Sequence, residues 1–473
     1  MKFLKHLAML AVVAGSFATS GLYADDRDDN SRFDEELNER DFDALRDYLK
    51  SKRVADIEES TSSLTISGDV RTEYRHLNES CKGQRLRGIS VKPGVLGRER
   101  AISRNDFDIE FNLRFDYVGE KTWASAQVRY DNSAGVDDNG HPCGPVKNPI
   151  IGCCGPQARQ CIGDPEGFHG SGNCDDLCLK RAYMGYELYS CGNSRMFFEL
   201  GRRGSLYNVF DSNIQFLSRF DGLLLKYESK WNCVGDWYVQ AAGFVVDEKV
   251  NHFAWVAEAG LLNIANSGID LKYSVIDWEK HGRNRCGARD PRGFRFINSQ
   301  FTAAYNWDTA CFGQYLHKTF IKKTSFYGAF LVNHAARNFG VKKLVGYDGN
   351  DDPIYNTKYH GKQNIGWYAG VLFGKVRKEG DWAIEVQYQS VQAQAVPDRD
   401  VAGICRGNIL DESITTCSYR GNTNYKGWRV QGLYAFTDNL TLDSIIEWSK
   451  AENEKIGGAH TYSKMELEAI YAF

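Results

Sequence analysis

The sequence predicts an all-β fold, a transmembrane antiparallel up-and-down β-barrel of about 16 strands. Three observations lead there. Apolar and polar residues alternate along one segment after another. The links between these segments are short on one side and long on the other. All nine prolines fall in the long links. Alternate side chains of a strand point to opposite faces, so period-two alternation marks a strand with one apolar and one polar side. The segment "DFDIEFNLRFDY" (106–117) is the clearest case: Phe107, Ile109, Phe111, Leu113, Phe115 and Tyr117 share one face, and Asp106, Asp108, Glu110, Asn112, Arg114 and Asp116 the other.

Ahead of the strands stands "MKFLKHLAMLAVVAGSFATSGLYADD". Its basic start, short apolar run and small residues up to Ala24 read as a secretory signal peptide, residues 1–24. Residues 25–62 form a charged leader. Within it Leu37, Phe42, Leu45 and Leu49 recur at roughly helical spacing, which predicts one exposed periplasmic helix; a disordered acidic segment is the alternative. Residues 63–473 are the barrel.

Strands are expected at 64–76, 107–117, 124–130, 179–189, 195–203, 219–229, 236–246, 253–262, 269–278 and 295–306. The remainder are expected at 324–335, 365–375, 382–391, 427–436, 440–449 and 462–473. Each is close to the ~9–11 residues a tilted strand needs to cross a bilayer. Short turns are expected at "YVGEK", "YSCGNS", "KVRKEGD" and "FTDNL", and long loops at 79–104, 131–178, 279–294, 336–363 and 393–426. Short periplasmic turns opposite long extracellular loops characterise outer-membrane barrels. The link 307–323 is long where a short turn belongs. Two further strands there make 18 the alternative count.

Proline has no amide to donate to a ladder, so its confinement to long links supports a strand map drawn from hydrophobicity alone. Aromatics near strand ends, Tyr130, Tyr189, Trp237, Trp278, Trp382, Trp428, Phe436 and Trp448, suit two interfacial girdles. Past the signal region no apolar run approaches the length of a spanning helix, so only a closed barrel satisfies the backbone in lipid.

On this register the apolar face meets outer-membrane lipid and the polar face a watery lumen, wide enough at sixteen strands for a channel. The pore-lining candidates are Arg71, Arg75, Asp108, Glu110, Arg114, Arg129, Arg181, Glu199 and Arg203, because rings of fixed charge set the selectivity of a pore. Asp211, in the third outer loop (about 204–217), is a constriction candidate. For any one of these residues the plain reading is a solvated lumen charge.

The net charge of −3 does not point to nucleic acid. The 13 cysteines of an exported chain suggest an oxidising compartment, and their odd number leaves at least one outside any internal pairing. Disulfide candidates are Cys143, Cys153, Cys154, Cys161, Cys174 and Cys178 in the largest loop, and Cys405 with Cys417. "CDDLC" beside His169 fits disulfides better than a metal. "YDGNDD" (347–352) lacks the full ligand series of a calcium loop. No nucleophile motif and no phosphate-binding glycine loop is present, so no catalytic residue, metal or cofactor is expected.

The signal region, the acidic leader, "LTISGDVRTEY", "GRRGSLYNVFDSNIQFLSRFDG" and "AIYAF" resemble Gram-negative porins. The last strand, "YSKMELEAIYAF", alternates up to an aromatic residue, as does the insertion signal of such barrels. The scattered cysteines narrow the resemblance to the cysteine-rich porin-like proteins of chlamydiae, most of all the amoeba-associated members. That resemblance implies passive diffusion of small hydrophilic solutes and ions, surface-exposed loops, and disulfide links to envelope proteins, with a homo-oligomer as a further expectation. The alternative is a structural or adhesive surface protein on the same scaffold, which the long cysteine-rich loops favour. An outer-membrane enzyme ranks last.

Overall fold

Period-two alternation becomes sixteen paired strands in the computed structural model. The structure describes residues 55–59, 62–81, 83–85, 105–133, 177–203, 211–215, 220–231, 234–247, 252–278, 295–307, 324–347, 353–397, 402–404, 408–409, 420–421, 423–456 and 459–473. The barrel strands are β1 (Ser62–Cys81), β2 (Asn105–Val118), β3 (Thr122–Ser133), β4 (Leu177–Cys191), β5 (Ser194–Arg203), β6 (Phe220–Trp231), β7 (Gly235–Asp247) and β8 (His252–Leu262). They continue as β9 (Ile269–Trp278), β10 (Phe296–Trp307), β11 (Thr324–Asn333), β12 (Ile365–Gly374), β13 (Trp382–Val391), β14 (Tyr425–Ala435), β15 (Leu440–Ala451) and β16 (His460–Ala472). Each pairs antiparallel with the next. β16 pairs back onto β1, from Asp69↔Ala472 to Cys81↔His460, and this closes the barrel.

The count is sixteen. Trp307 of β10 lies directly opposite Thr324 of β11, so the long link between them leaves and re-enters the wall at one place and adds no strand to it. At the long-loop end we number the links L1 to L8. L3 runs from 204 to 219 and L7 from 392 to 424. L4 (248–251) and L8 (452–459) are short, so the length alternation is not strict. At the opposite end the turns are tight. Between β4 and β5 the turn is two residues, and Gly192 supplies the positive φ (56°) that such a reversal needs. None of the nine prolines lies in a barrel strand. Pro353 opens a strand of the L6 hairpin, Phe339–Tyr347 with Pro353–His360, at the position where proline is tolerated.

Ala55–Glu59, within the segment 25–62 read as the leader, is a strand antiparallel to the start of β1 (Ala55↔Ile66 to Glu59↔Ser62); Leu37 to Leu49, whose spacing predicts a helix, lie outside the described residues. β1 extends past the end of β16, which leaves one edge of residues 62–66 without a neighbour. The 55–59 strand supplies the missing hydrogen bonds. The signal region, the rest of the leader, the 347–352 turn beyond Tyr347, and Cys143, Cys153, Cys154, Cys161, Cys174, Cys405 and Cys417 lie outside the described residues. Cys178 is the second residue of β4, half-buried, and Cys191 is its exposed last residue.

The two faces of the wall are inverted relative to a soluble sandwich. Large apolar side chains stand exposed outside: Phe107, Phe301 and Phe330 are 48–50% exposed, and Leu200, Leu223, Tyr273 and Ile446 are similar. Charged and amide side chains are buried inside: Asp69, Arg71, Glu110, Asn112, Gln300, Gln387, Arg429 and Glu447. Aromatics on the outer face gather towards both ends of the barrel. At the short-turn end Tyr227, Trp231 and Trp237 cluster, and Tyr434 meets Phe436. At the long-loop end Trp367, Tyr388 and Trp428 form a row. Trp278 does not belong to either girdle. It shares the phase of Asp270, Lys272 and Ser274 along β9, points inward, and packs edge-on against Phe244 at 5.8 Å.

The interior is unequal around its circumference. Along β6–β14, inward apolar residues pack into two clusters. One holds Phe244, Trp278, Phe296 and Ala402. The other holds Ile214, Leu331, Tyr368, Ala395, Val396, Ile404 and Tyr425. Ile214 belongs to L3, and Ala395, Val396, Ala402 and Ile404 to L7, so parts of both loops are folded inside the barrel.

Candidate functional site

From β14 through β16 and round to β5, the inner wall carries a ladder of charges that alternate in sign. On β1, Arg71 pairs with Asp69 of its own strand and lies 3.8 Å from Glu110 of β2 and 3.7 Å from Glu468 of β16. Arg75 pairs with Asp108 and, at 2.8 Å, with Glu73. Glu110 also pairs with Arg129 of β3. Asn112 donates to Asp69 (3.0 Å) and Glu110 (2.7 Å), and its own amide oxygen accepts from Gln127 at 3.0 Å. On β5, Arg203 pairs with Glu199, while Trp123 donates to Glu199 at 2.6 Å and the Arg203 guanidinium lies 3.8 Å above the Tyr183 ring. Cross-strand neighbours on one face sit within reach of long side chains, so alternate-residue charges on adjacent strands form a continuous network.

All the wall candidates lie on the inner face. Arg71, Asp108, Glu110, Arg181, Glu199 and Arg203 are buried, and Arg75, Arg114 and Arg129 are half-buried. Arg181 stands there beside a residue that the alternation puts outside. A β-bulge opposite Gln127/Val128 places both Lys180 and Arg181 inside, because the extra residue resets the phase.

The sequence reading also missed the far end of the ladder. Arg429 of β14 lies 3.7 Å from Glu447 of β15, and Lys464 of β16 lies 3.6 Å from Glu447 and 2.8 Å from Glu466. Arg429 donates to Gln431 (2.6 Å), which donates to both oxygens of Asp443 at 3.0 Å. In "YKGWRVQGLYA" Arg429 and Gln431 alternate with Trp428 and Val430, so their facing was available from the sequence.

Opposite this ladder, L3 is fastened to the wall. The Asp211 amide donates to Glu258 of β8 at 2.6 Å. Glu258 also accepts from Tyr238 (2.7 Å) and Gln240 (3.2 Å). The Asp211 carboxyl lies 3.3 Å from the Lys272 ammonium of β9, and its carbonyl accepts from Gln300 of β10. Asn298 of β10 donates to Gln215. Burial pushes the Asp211 carboxyl up, to about 8; Lys272 opposes the rise and Glu258 adds to it. Nothing in the pattern of L3 names these wall partners. Glu258 is the single carboxylate of an otherwise apolar or neutral strand, and that isolation was the available signal; Lys272 shares its strand face with Asp270.

L7 continues the inner lining. Ala402 N–H donates to the Ile214 carbonyl of L3 at 3.2 Å, and Ile404 N–H to Gln389 Oε1 of β13 at 2.9 Å. Among the described residues no three His, Cys, Asp or Glu side chains converge as metal ligands. Among the described residues no helix is long and apolar enough to cross a membrane, which says nothing of a barrel.

No protein-family model matches the chain, and no curated protein matches it. Solved structures similar to it include porins. Salmonella typhi OmpF, in complex with daunomycin, is 11% identical over 89% of this chain and 100% of that one, with a TM-score of 0.42. Pseudomonas putida OprB at high pH is 9% identical over 87% and 94%, with a TM-score of 0.42. A mutant of the Rh. blastica porin is 8% identical over 87% and 100%, with a TM-score of 0.37. At these scores the likeness adds nothing to what the strand pairing itself establishes.

Proposed function

We propose that this chain is an outer-membrane porin of a Gram-negative bacterium, through which small hydrophilic solutes and ions diffuse passively. The inversion of the wall carries the reading: apolar side chains outside, a ladder of charges inside. A closed barrel with a lipid-compatible exterior satisfies every wall amide in a membrane, and a charged interior holds water. The long links then face the cell surface and the tight turns the periplasm. Arg71, Arg75, Asp108, Glu110, Arg114, Arg129, Arg181, Glu199 and Arg203 line the passage, and Asp211 anchors the L3 constriction across from them. Ladder charges of both signs favour weak ion selectivity over a strong preference. The sequence resemblance to chlamydial cysteine-rich porins agrees with this role.

The test is liposome swelling. Protein refolded into liposomes should let in sugars of low mass at rates that fall with size. Liposomes that hold folded barrel and stay osmotically tight to all of them would overturn the reading. A second role rests on L2, whose residues 134–176 include five cysteines and exceed what a pore requires. Disulfide links from L2 to other envelope proteins would appear as reducible high-mass species in isolated envelopes, and their absence would remove that role.

A further inference from the structure

We propose that the inner parts of L7, residues 392–397 and 402–404, are a second constriction element: they brace L3, so that the two loops together set the size limit of the pore. This deepens the channel reading and depends on it. Ile214 of L3 is fully buried, in one apolar cluster with wall residues and with Ala395, Val396 and Ile404 of L7. Its side chain sits where Gly366 of β12 leaves room; a Cβ on Gly366 would lie 2.7 Å from Ile214 Cδ1. Its carbonyl is satisfied by the Ala402 amide of L7. A buried carbonyl stripped of its donor is destabilising, so L7 adds to the hold that the wall already has on Asp211 and Gln215.

L7 is held independently of L3. Gln389 Oε1 accepts from both Ile404 N–H (2.9 Å) and Tyr425 OH (2.8 Å). Thr423 donates to the Ala393 carbonyl at 3.2 Å, and Asn333 of β11 to the Gln394 carbonyl at 2.8 Å. Ala395, Val396 and Ala402 are fully buried against the apolar sector of the wall, a dry seat that a freely hydrated loop would not occupy. L3 fastened to β8–β10 and L7 fastened to β11–β14 line seven consecutive strands. Solute is thereby confined to the side of the lumen that bears the charge ladder.

The experiment compares unitary conductance in planar bilayers, and the largest sugar admitted to liposomes, for the full chain and three variants. Folded protein is selected by its heat-dependent gel mobility. Gln389→Leu removes the wall acceptor of the Ile404 amide of L7, and Ala402→Pro removes the L7 donor to the Ile214 carbonyl of L3. Both are expected to shift conductance and size limit upward. Gln389→Glu keeps an acceptor oxygen and is expected to keep both near the parent values. If Ala402→Pro does not fold, Gln389→Leu against Gln389→Glu decides alone. Gln389→Leu barrels with the parent conductance and size limit overturn the brace while leaving the channel reading intact. A parent protein that does not conduct at all overturns the channel reading itself.

Discussion

Phe473 and Gly68 exchange backbone hydrogen bonds in both directions, each 3.0 Å long, where the barrel closes. The Phe473 ring lies over Gly68 so closely that a Cβ there would sit 2.6 Å from it and 2.9 Å from the Asn112 carbonyl. Phe111 stacks beside the ring, with centroids 6.3 Å apart. Glycine at 68 is therefore a steric requirement of the seam. Gly68→Val should weaken closure by about 1–3 kcal/mol, the usual range for overpacking. The check is the temperature at which the folded gel band converts to the unfolded one. An unchanged temperature would mean that the seam tolerates the branch.

The outer face yields a prediction with a clear sign. Phe301 is near the middle of β10 and 48% exposed. In lipid, Phe301→Arg should cost about 2–4 kcal/mol, the range for a basic residue at the midplane of a barrel wall. Equilibrium unfolding from lipid bilayers measures it. A cost near zero would place Phe301 in water instead.

Arg71 is the centre of three carboxylates: Asp69, Glu110 and Glu468. Arg71→Gln leaves these acids facing one another with less compensation. The expected loss of stability is about 1–3 kcal/mol, between the values for exposed and fully buried pairs. Reversal potentials in a salt gradient should move towards cation preference. Movement towards anions would contradict the placement of Arg71 on the conducting path.

The elevated Asp211 carboxyl predicts a pH effect. An acid whose proton is lost only near pH 8 is mostly neutral at pH 6 and negative at pH 9.5. Cation preference should therefore grow as pH rises across that window, and Asp211→Asn should remove the part of the change centred near 8. A variant that follows the parent curve would show that Asp211 does not titrate there.

Much of the wall was readable because the two faces of a strand differ by a single step. Phe107 to Tyr117 and the charges between them needed only the pleat. Lys180 was not readable, because a one-residue bulge resets the phase with no mark in composition. Trp278 was misread by giving its place near a strand end more weight than its phase along β9. The strand count turned on Trp307 facing Thr324, a pairing across a 16-residue link that hydropathy does not encode. The seat of L7 was hidden for a different reason. Ala395, Val396 and Ile404 have no regular period, and the residues they cluster with include ones from β11–β14 and Ile214 of L3.

The central claim is a lipid-facing barrel around a water column, and recording from planar bilayers tests it most directly. Purified, folded protein added to one side should produce discrete steps of current that scale with salt concentration. A barrel that inserts, shown by protease protection of its wall, yet never carries current would contradict the account.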